Sequence, residues 1–144
     1  MNSRIVIPQV APEAYQALMN LEKYIATTSL TSTHKELIKI RASQVNGCAF
    51  CINMHTADAR KYGETEQRIY LLSAWREADV YTEEEKAILA LTEEVTLISN
   101  HVSEEVYQNA ARLFDEKYLA EIILTIITIN SWNRLAITTG LRAV

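Results

Sequence analysis

Cys48 and Cys51 are the two cysteines of the chain; they sit in Gly47-Cys48-Ala49-Phe50-Cys51, and His55 follows four residues after the second. On a helix, offsets of three and four residues bring these side chains to one face, each within reach of the next. A dithiol so spaced can close to a small-ring disulfide. A cysteine at the opening of a helix faces unpaired amide N–H groups and the positive dipole end, which favour thiolate and lower the pKa from its free value of about 8.5. His55 adds a base one turn beyond Cys51, able to take its proton or stabilise its anion. Local physics leaves two attackers open: Cys51 through its histidine, and Cys48 through its place nearest the helix start.

Blander roles compete for the same residues. Cys48, Cys51, His55 and a carboxylate would make a tetrahedral zinc donor set, but a structural site normally brings its second ligand pair on a comparable motif, and the chain has none. Free cysteines are often just small buried apolar residues. An extracellular disulfide is disfavoured by the tiny loop it would close. Glu36 stands three residues after Thr33 in capping-box register, where its simplest role is to reach back to the helix start. His34 and His101 fall near predicted helix ends and read as solvated. Asn130, Asn133 and Arg134 read as buried polar contacts across a subunit interface, and Trp75 and Trp132 as core or interface.

The elements that must position these residues are helices. Glycine and proline together make 5 of 144 residues, which leaves few turns. Pro12 suits a first helical turn, and Ala14, Leu18, Leu21 and Ile25 continue one face to about residue 27. Leu37, Ile38, Ile40, Ala42 and Val45 carry a second helix from Thr33 that Asn46-Gly47 stops. The third runs from Cys48 to about Tyr62, with Gly63 beyond its end and Arg60 and Lys61 on its carbonyl side. Thr65 to Arg76 makes a short helix. Thr82 with Glu85 offers a capping box for the next, ending near Asn100, and Ser103 caps another through about Phe114. Glu116 to Thr139 holds Ile-Ile-Leu-Thr-Ile-Ile-Thr-Ile, β-branched enough for a strand but too long for one. A helix apolar nearly all round must be buried on most sides, which in so small a chain predicts a subunit interface and a homo-oligomer.

With 49% hydrophobic and 22% charged residues the chain is an ordinary globular domain, one unit over residues 1–144. A net charge of −4 and the lack of a Lys/Arg stripe argue against nucleic acid. The most apolar segment, Leu119 to Ile129, is interrupted by Glu121 and falls short of the ~20 residues of a membrane span. The stretch Met1 to Pro8 is too weakly apolar for an export signal, so the expectation is a cytoplasmic protein.

Glu36, eleven residues, Cys48, two residues, Cys51, three residues, His55 resembles the core signature of the AhpD-like alkylhydroperoxidases within the carboxymuconolactone decarboxylase superfamily. The run from Glu36 to Cys48, Ala57-Asp58-Ala59-Arg60, Leu71 to Arg76 and Ile129 to Ala136 are similar to that family too, so the likeness extends over about residues 13–138. It implies an all-α, single-domain AhpD-like fold with the CxxC at a helix start, assembled into trimers or hexamers. It also implies that Cys51 is the peroxidatic cysteine, that Cys48 resolves its sulfenic acid to a disulfide, and that His55 and Glu36 form the proton relay in place of a helix cap. The substrate would be a small hydroperoxide. No metal or organic cofactor would be needed, and an external dithiol such as a lipoamide-type adaptor would recharge the pair. One departure stands out: family members carry a second histidine just before the second cysteine, where this chain has Phe50. Superfamily members that decarboxylate a lactone lack the redox pair. The alternatives are a non-catalytic module with a Cys/His zinc site, and a carbon-acid enzyme using His55 and Glu36 as base.

Overall fold

In the computed structural model, which describes residues 4–144, the chain is helical, with no strand among the described residues. Of the opening stretch read for an export signal, residues 1–3 lie outside the described residues. A single turn, α1 (Ile7–Val10), leads into α2 (Pro12–Thr27), with Pro12 in its first turn, where the missing N–H costs nothing. Then come α3 (Ser32–Asn46), α4 (Ala49–Lys61), α5 (Glu66–Leu71), α6 (Glu83–Thr96), α7 (Glu104–Leu113) and α8 (Glu116–Thr139). None is long and apolar enough to cross a membrane.

Helix α3 is the axle of the fold, packed on α4, α6 and α8. Its Ile38 and Ala42 join one apolar cluster with Ile88, Leu91, Ile122, Ile126 and Ile129, and both cysteines belong to it. Leu37 and Ile40 face a second cluster with Ala59, Leu72, Trp75, Tyr81 and Leu89. Burial on two sides fixes the rotation of α3, and with it the directions of Glu36, Lys39 and Ser43. The apolar run in α8 is a helix, as its length requires. Its Leu119, Ile122, Ile126, Ile129 and Ala136 are buried within the chain, while Ile127 and Ile137 stay exposed.

Several sequence expectations need correction. The start of α3 is capped by Thr31, whose hydroxyl accepts the His34 N–H at 3.1 Å. Thr33 and Glu36 therefore form no capping box, and Glu36 is free to face α4. The segment from Thr65 to Arg76 is not one helix: α5 gives way to a 3₁₀ stretch, Leu72–Glu77, in which Ala74 leaves helical geometry (φ −124°, ψ 33°). Tertiary bonds explain the break, because Trp75 Nε1 and Arg76 Nη1 both donate to Glu93, at 2.8 and 2.7 Å. Helix α6 has the expected Thr82–Glu85 capping box but ends at Thr96, followed by a 3₁₀ turn at Ile98–Asn100. His34 is half-buried rather than solvated, with Nδ1 2.6 Å from the Tyr118 hydroxyl and its ring edge-on to Phe114.

Candidate active site

The link between α3 and α4 is only two residues long, and backbone chemistry dictates its shape. Gly47 adopts φ 69°, a left-handed conformation that glycine enters without penalty. The Gly47 N–H bonds the Gln44 carbonyl at 3.2 Å and the Cys48 N–H bonds that of Ser43 at 2.9 Å. This is a Schellman closure, and it pins the Cys48 backbone to the end of α3. From there the side chain caps the next helix: Cys48 Sγ accepts the Cys51 N–H at 3.4 Å, with sulfur in the place of the usual capping oxygen. The two thiols are thus one helical turn apart, free, and 1% and 3% exposed.

Cys51 does not have the lowered pKa that its place near a helix start suggests. Burial in the apolar cluster, and then the neighbouring Cys48, push its thiol up to about 12, while the nearby Asn133 side chain favours the anion. Desolvation outweighs the helix dipole here. At neutral pH the resting Cys51 keeps its proton, so any attack by this sulfur begins with proton removal.

A candidate base lies one turn on. His55 Nδ1 sits 3.2 Å from Glu36 Oε2, across the α3–α4 contact, and 3.9 Å from Asp58 Oδ2. Glu36 and His55 are 7% and 8% exposed, yet their facing atoms are not aligned as a hydrogen bond and have no other partner. Buried polar atoms are nearly always satisfied, so an unpaired couple of this kind is a candidate for handling protons or ligands. With Nδ1 turned to the carboxylates, Nε2 is the nitrogen left for a thiol or substrate. Among the described residues, Glu36, His55 and Asp58 form the group whose cation-ligating atoms gather, all within 4.8 Å, and neither thiol belongs to it.

Other residues at the site were not anticipated. Glu22 of α2 accepts from Lys39 Nζ at 2.8 Å and from Trp132 Nε1 at 3.0 Å. Burial works to raise its pKa, but Lys39, Trp132 and the nearby His55 together hold it below the usual carboxylate range. The signal lay in Lys39, which shares the Glu36 face of α3 at three residues' distance and, once buried, must have an anionic partner. Asn133 is fully buried inside the chain rather than at a subunit interface: its Nδ2 donates to Ser43 Oγ at 3.0 Å and its Oδ1 accepts from Asn46 at 2.9 Å. Phe50, where a second histidine would stand, packs on the apolar cluster that encloses the thiols.

Residues 12–94 match the model of the carboxymuconolactone decarboxylase family. The chain is 52% identical over 144 residues to the uncharacterized protein YdfG of Bacillus subtilis, covering 99% of this chain and 98% of that one. Among solved structures it is similar to ATU0492 of Agrobacterium tumefaciens, a protein of unknown function proposed for antioxidant defence as an AhpD. The TM-score there is 0.94 at 38% identity, over 99% of both chains. The debrominase Bmp8 shares the fold at a TM-score of 0.82 and 23% identity, over 90% of this chain and 70% of that one.

Proposed function

The chain belongs to the carboxymuconolactone decarboxylase family, and on that premise we propose that it is a cytoplasmic thiol-dependent peroxidase or dithiol oxidoreductase acting on small hydroperoxides. The observation that carries the reading is the pair of free, buried thiols one turn apart, with His55 one turn further along α4 and Glu36 facing it from α3, the two otherwise unpartnered.

The chemistry follows from those positions. His55, oriented by Glu36, takes the Cys51 proton as the sulfur attacks the terminal oxygen of the hydroperoxide. The O–O bond breaks, Cys51 becomes a sulfenic acid, and the alkoxide leaves as an alcohol with the proton from His55. Cys48 then attacks the Cys51 sulfur; the S–O bond breaks, the disulfide forms and water departs. Two thiols are oxidised for one peroxide reduced to alcohol and water. An external dithiol, of the lipoamide class by analogy, reduces the disulfide by exchange and is itself oxidised. No metal or organic cofactor enters this cycle. Because the resting Cys51 is protonated, the relay rather than a standing thiolate limits the rate. The exposed Ile127 and Ile137 of α8 supply apolar surface for the homo-oligomer that the sequence suggests.

Thiol titration and intact mass before and after one equivalent of organic hydroperoxide test the reading. Wild type should lose both thiols to an internal Cys48–Cys51 disulfide, and Cys51→Ser should keep its remaining thiol. If both proteins stay reduced while a disulfide substrate oxidises the wild type, the protein is a dithiol exchanger without peroxidase activity. The unpartnered Glu36–His55 couple favours one other reading, a base acting on a carbon acid with the thiols incidental. Activity on such a substrate surviving in Cys48→Ser/Cys51→Ser would establish it.

A further inference from the structure

Two ligand-bearing side chains beside the dithiol lack the partners that their burial calls for. Glu36 and His55 are 7% and 8% exposed, and Glu36 Oε2 and His55 Nδ1 face each other at 3.2 Å with no hydrogen bond to either atom. Asp58 brings a third atom to them, its Oδ2 lying 3.9 Å from the same Nδ1. The local sequence puts it there, because His55 and Asp58 are three residues apart on α4 and share a face. Two carboxylates thus converge on one imidazole, which carries at most a single positive charge. The nearby lysines do not balance them. Lys39, three residues after Glu36 on α3, gives its ammonium to Glu22 at 2.8 Å. Lys61 approaches only the other oxygen of Asp58, at 3.8 Å and from a side chain that is 76% exposed, a screened pair of little worth.

We propose that Glu36, His55 and Asp58 form a binding site for a first-row divalent cation of the zinc class, and that the bound ion switches the dithiol reaction off. The three ligand atoms lie within 4.8 Å of one another. Ligands held at about 2.0–2.2 Å from one tetrahedral zinc stand roughly 3.3–3.6 Å apart, a spacing that Glu36 and His55 already have. Asp58, with its side chain 37% exposed, closes the remaining distance by rotating toward them. A ligand pair at i, i+3 on one helix, joined by a carboxylate from a facing helix, is how helical bundles build metal sites. The donors select the ion: an imidazole nitrogen suits zinc better than magnesium or calcium, and neither thiol belongs to the set. The effect on the reaction follows from the ring. An ion on Nδ1 leaves the neutral imidazole its one proton on Nε2, and a nitrogen that carries a proton cannot take another from Cys51. The switch rests on His55 being the base proposed above; the site itself does not.

The test titrates Zn²⁺ calorimetrically into Cys48→Ser/Cys51→Ser protein, which lacks the sulfurs that would compete for the metal. One ion per chain should bind, and Mg²⁺ should not displace it. Adding Asp58→Asn should weaken binding at least about tenfold, since even the loss of an outer partner of a metal ligand costs about 10- to 100-fold. Absent binding, or binding indifferent to Asp58→Asn, overturns the site. Should the double variant fail to fold, Co²⁺ added to reduced wild type decides. Ligand-field bands without a sulfur-to-cobalt charge-transfer band support the site, and that band appearing with the first equivalent puts the metal on the thiols and overturns it. The switch is read in wild type as hydroperoxide-driven loss of the thiols. Saturating Zn²⁺ should slow it about 10²-fold or more, and a chelator should restore it; Asp58→Asn should need at least about tenfold more zinc for the same slowing. Unchanged oxidation in zinc-loaded protein overturns the switch. A protein that binds zinc through these residues but ignores hydroperoxide removes the peroxidase reading, and the switch with it, and leaves the site. One that reduces hydroperoxide but fails the zinc titration removes this inference alone.

Discussion

Glu36 and Glu93 are the same residue type at nearly the same depth, with side chains 10% and 12% exposed, and their surroundings differ in one respect. Both oxygens of Glu93 are engaged: Oε1 accepts from Arg41 Nε and Trp75 Nε1, both at 2.8 Å, and Oε2 accepts from Arg76 Nη1 at 2.7 Å. Burial works to raise its pKa, and the three donors together hold it below the usual carboxylate range. Glu36 has His55 at 3.2 Å, out of hydrogen-bond alignment, and an oxygen with no other partner. A carboxylate with both oxygens engaged by cationic and indole donors is held as the anion and ties α3, α6 and the 3₁₀ stretch together. One with an unpartnered oxygen beside an imidazole can orient it and share its proton. Burial alone therefore does not separate the structural acid from the one proposed to be functional; the partner count does.

The comparison breaks most easily at Glu36. Glu36→Gln should slow hydroperoxide-driven loss of the two thiols about 10²- to 10⁴-fold, the range of a lost acid–base partner. Urea unfolding should place its stability within about 1 kcal/mol of wild type, because no aligned hydrogen bond is lost. Glu93→Gln should reverse the pattern. It leaves Arg41 without its carboxylate in a half-buried setting, for a loss of about 2–4 kcal/mol in the same urea experiment. Thiol oxidation by the folded fraction should stay within about threefold of wild type. If Glu93→Gln damages activity as much as Glu36→Gln does, the division between the two acids fails.

The division was only partly legible in the sequence. Helix existence was plain, since Pro12, Gly47, Gly63, Thr82 and Ser103 punctuate the chain by local rules, and the bounds of α2 and α8 fall where those rules put them. The spacing of Cys48, Cys51 and His55 along one helix needed no tertiary information either. The α5 region misled because Ala74 leaves the helix for the sake of Trp75 and Arg76 bonding Glu93, a partner 17 or more residues away. Glu36 was ambiguous for the same reason: its register fits a cap, and only the packing of α3 on α4 and the competing Thr31 cap decide against it. Glu22 and Asn133 reach the site from α2 and α8, through contacts that no local window holds.

Acid titration sharpens the comparison at smaller amplitude. The pKa of Glu93 is lower in the folded chain than in the unfolded one, where it is about 4.3. Its contribution to stability is therefore fully present well above that value and is lost as pH falls through the folded pKa. Wild type should lose stability faster than Glu93→Gln below about pH 4.3, so the gap between the two narrows on acidification. A gap that stays constant down to acid unfolding would mean that Glu93 is not the anion holding those donors.

The smallest effect belongs to the joint between the helices carrying Glu36 and His55. At Gly47 an added Cβ would meet nothing within 4 Å, so the penalty of Gly47→Ala is the left-handed backbone alone, at φ 69°. That amounts to about 1 kcal/mol of stability. Because the Schellman bonds at Gln44 and Ser43 survive if the conformation is kept, the thiols and the Glu36–His55 couple stay in register. Thiol oxidation should then remain within about twofold at 25 °C. A drop in oxidation far beyond the stability loss would show that the joint relaxes out of the left-handed conformation and carries His55 away from Glu36, which would make the relay depend on one backbone angle rather than on the packing of α3 against α4.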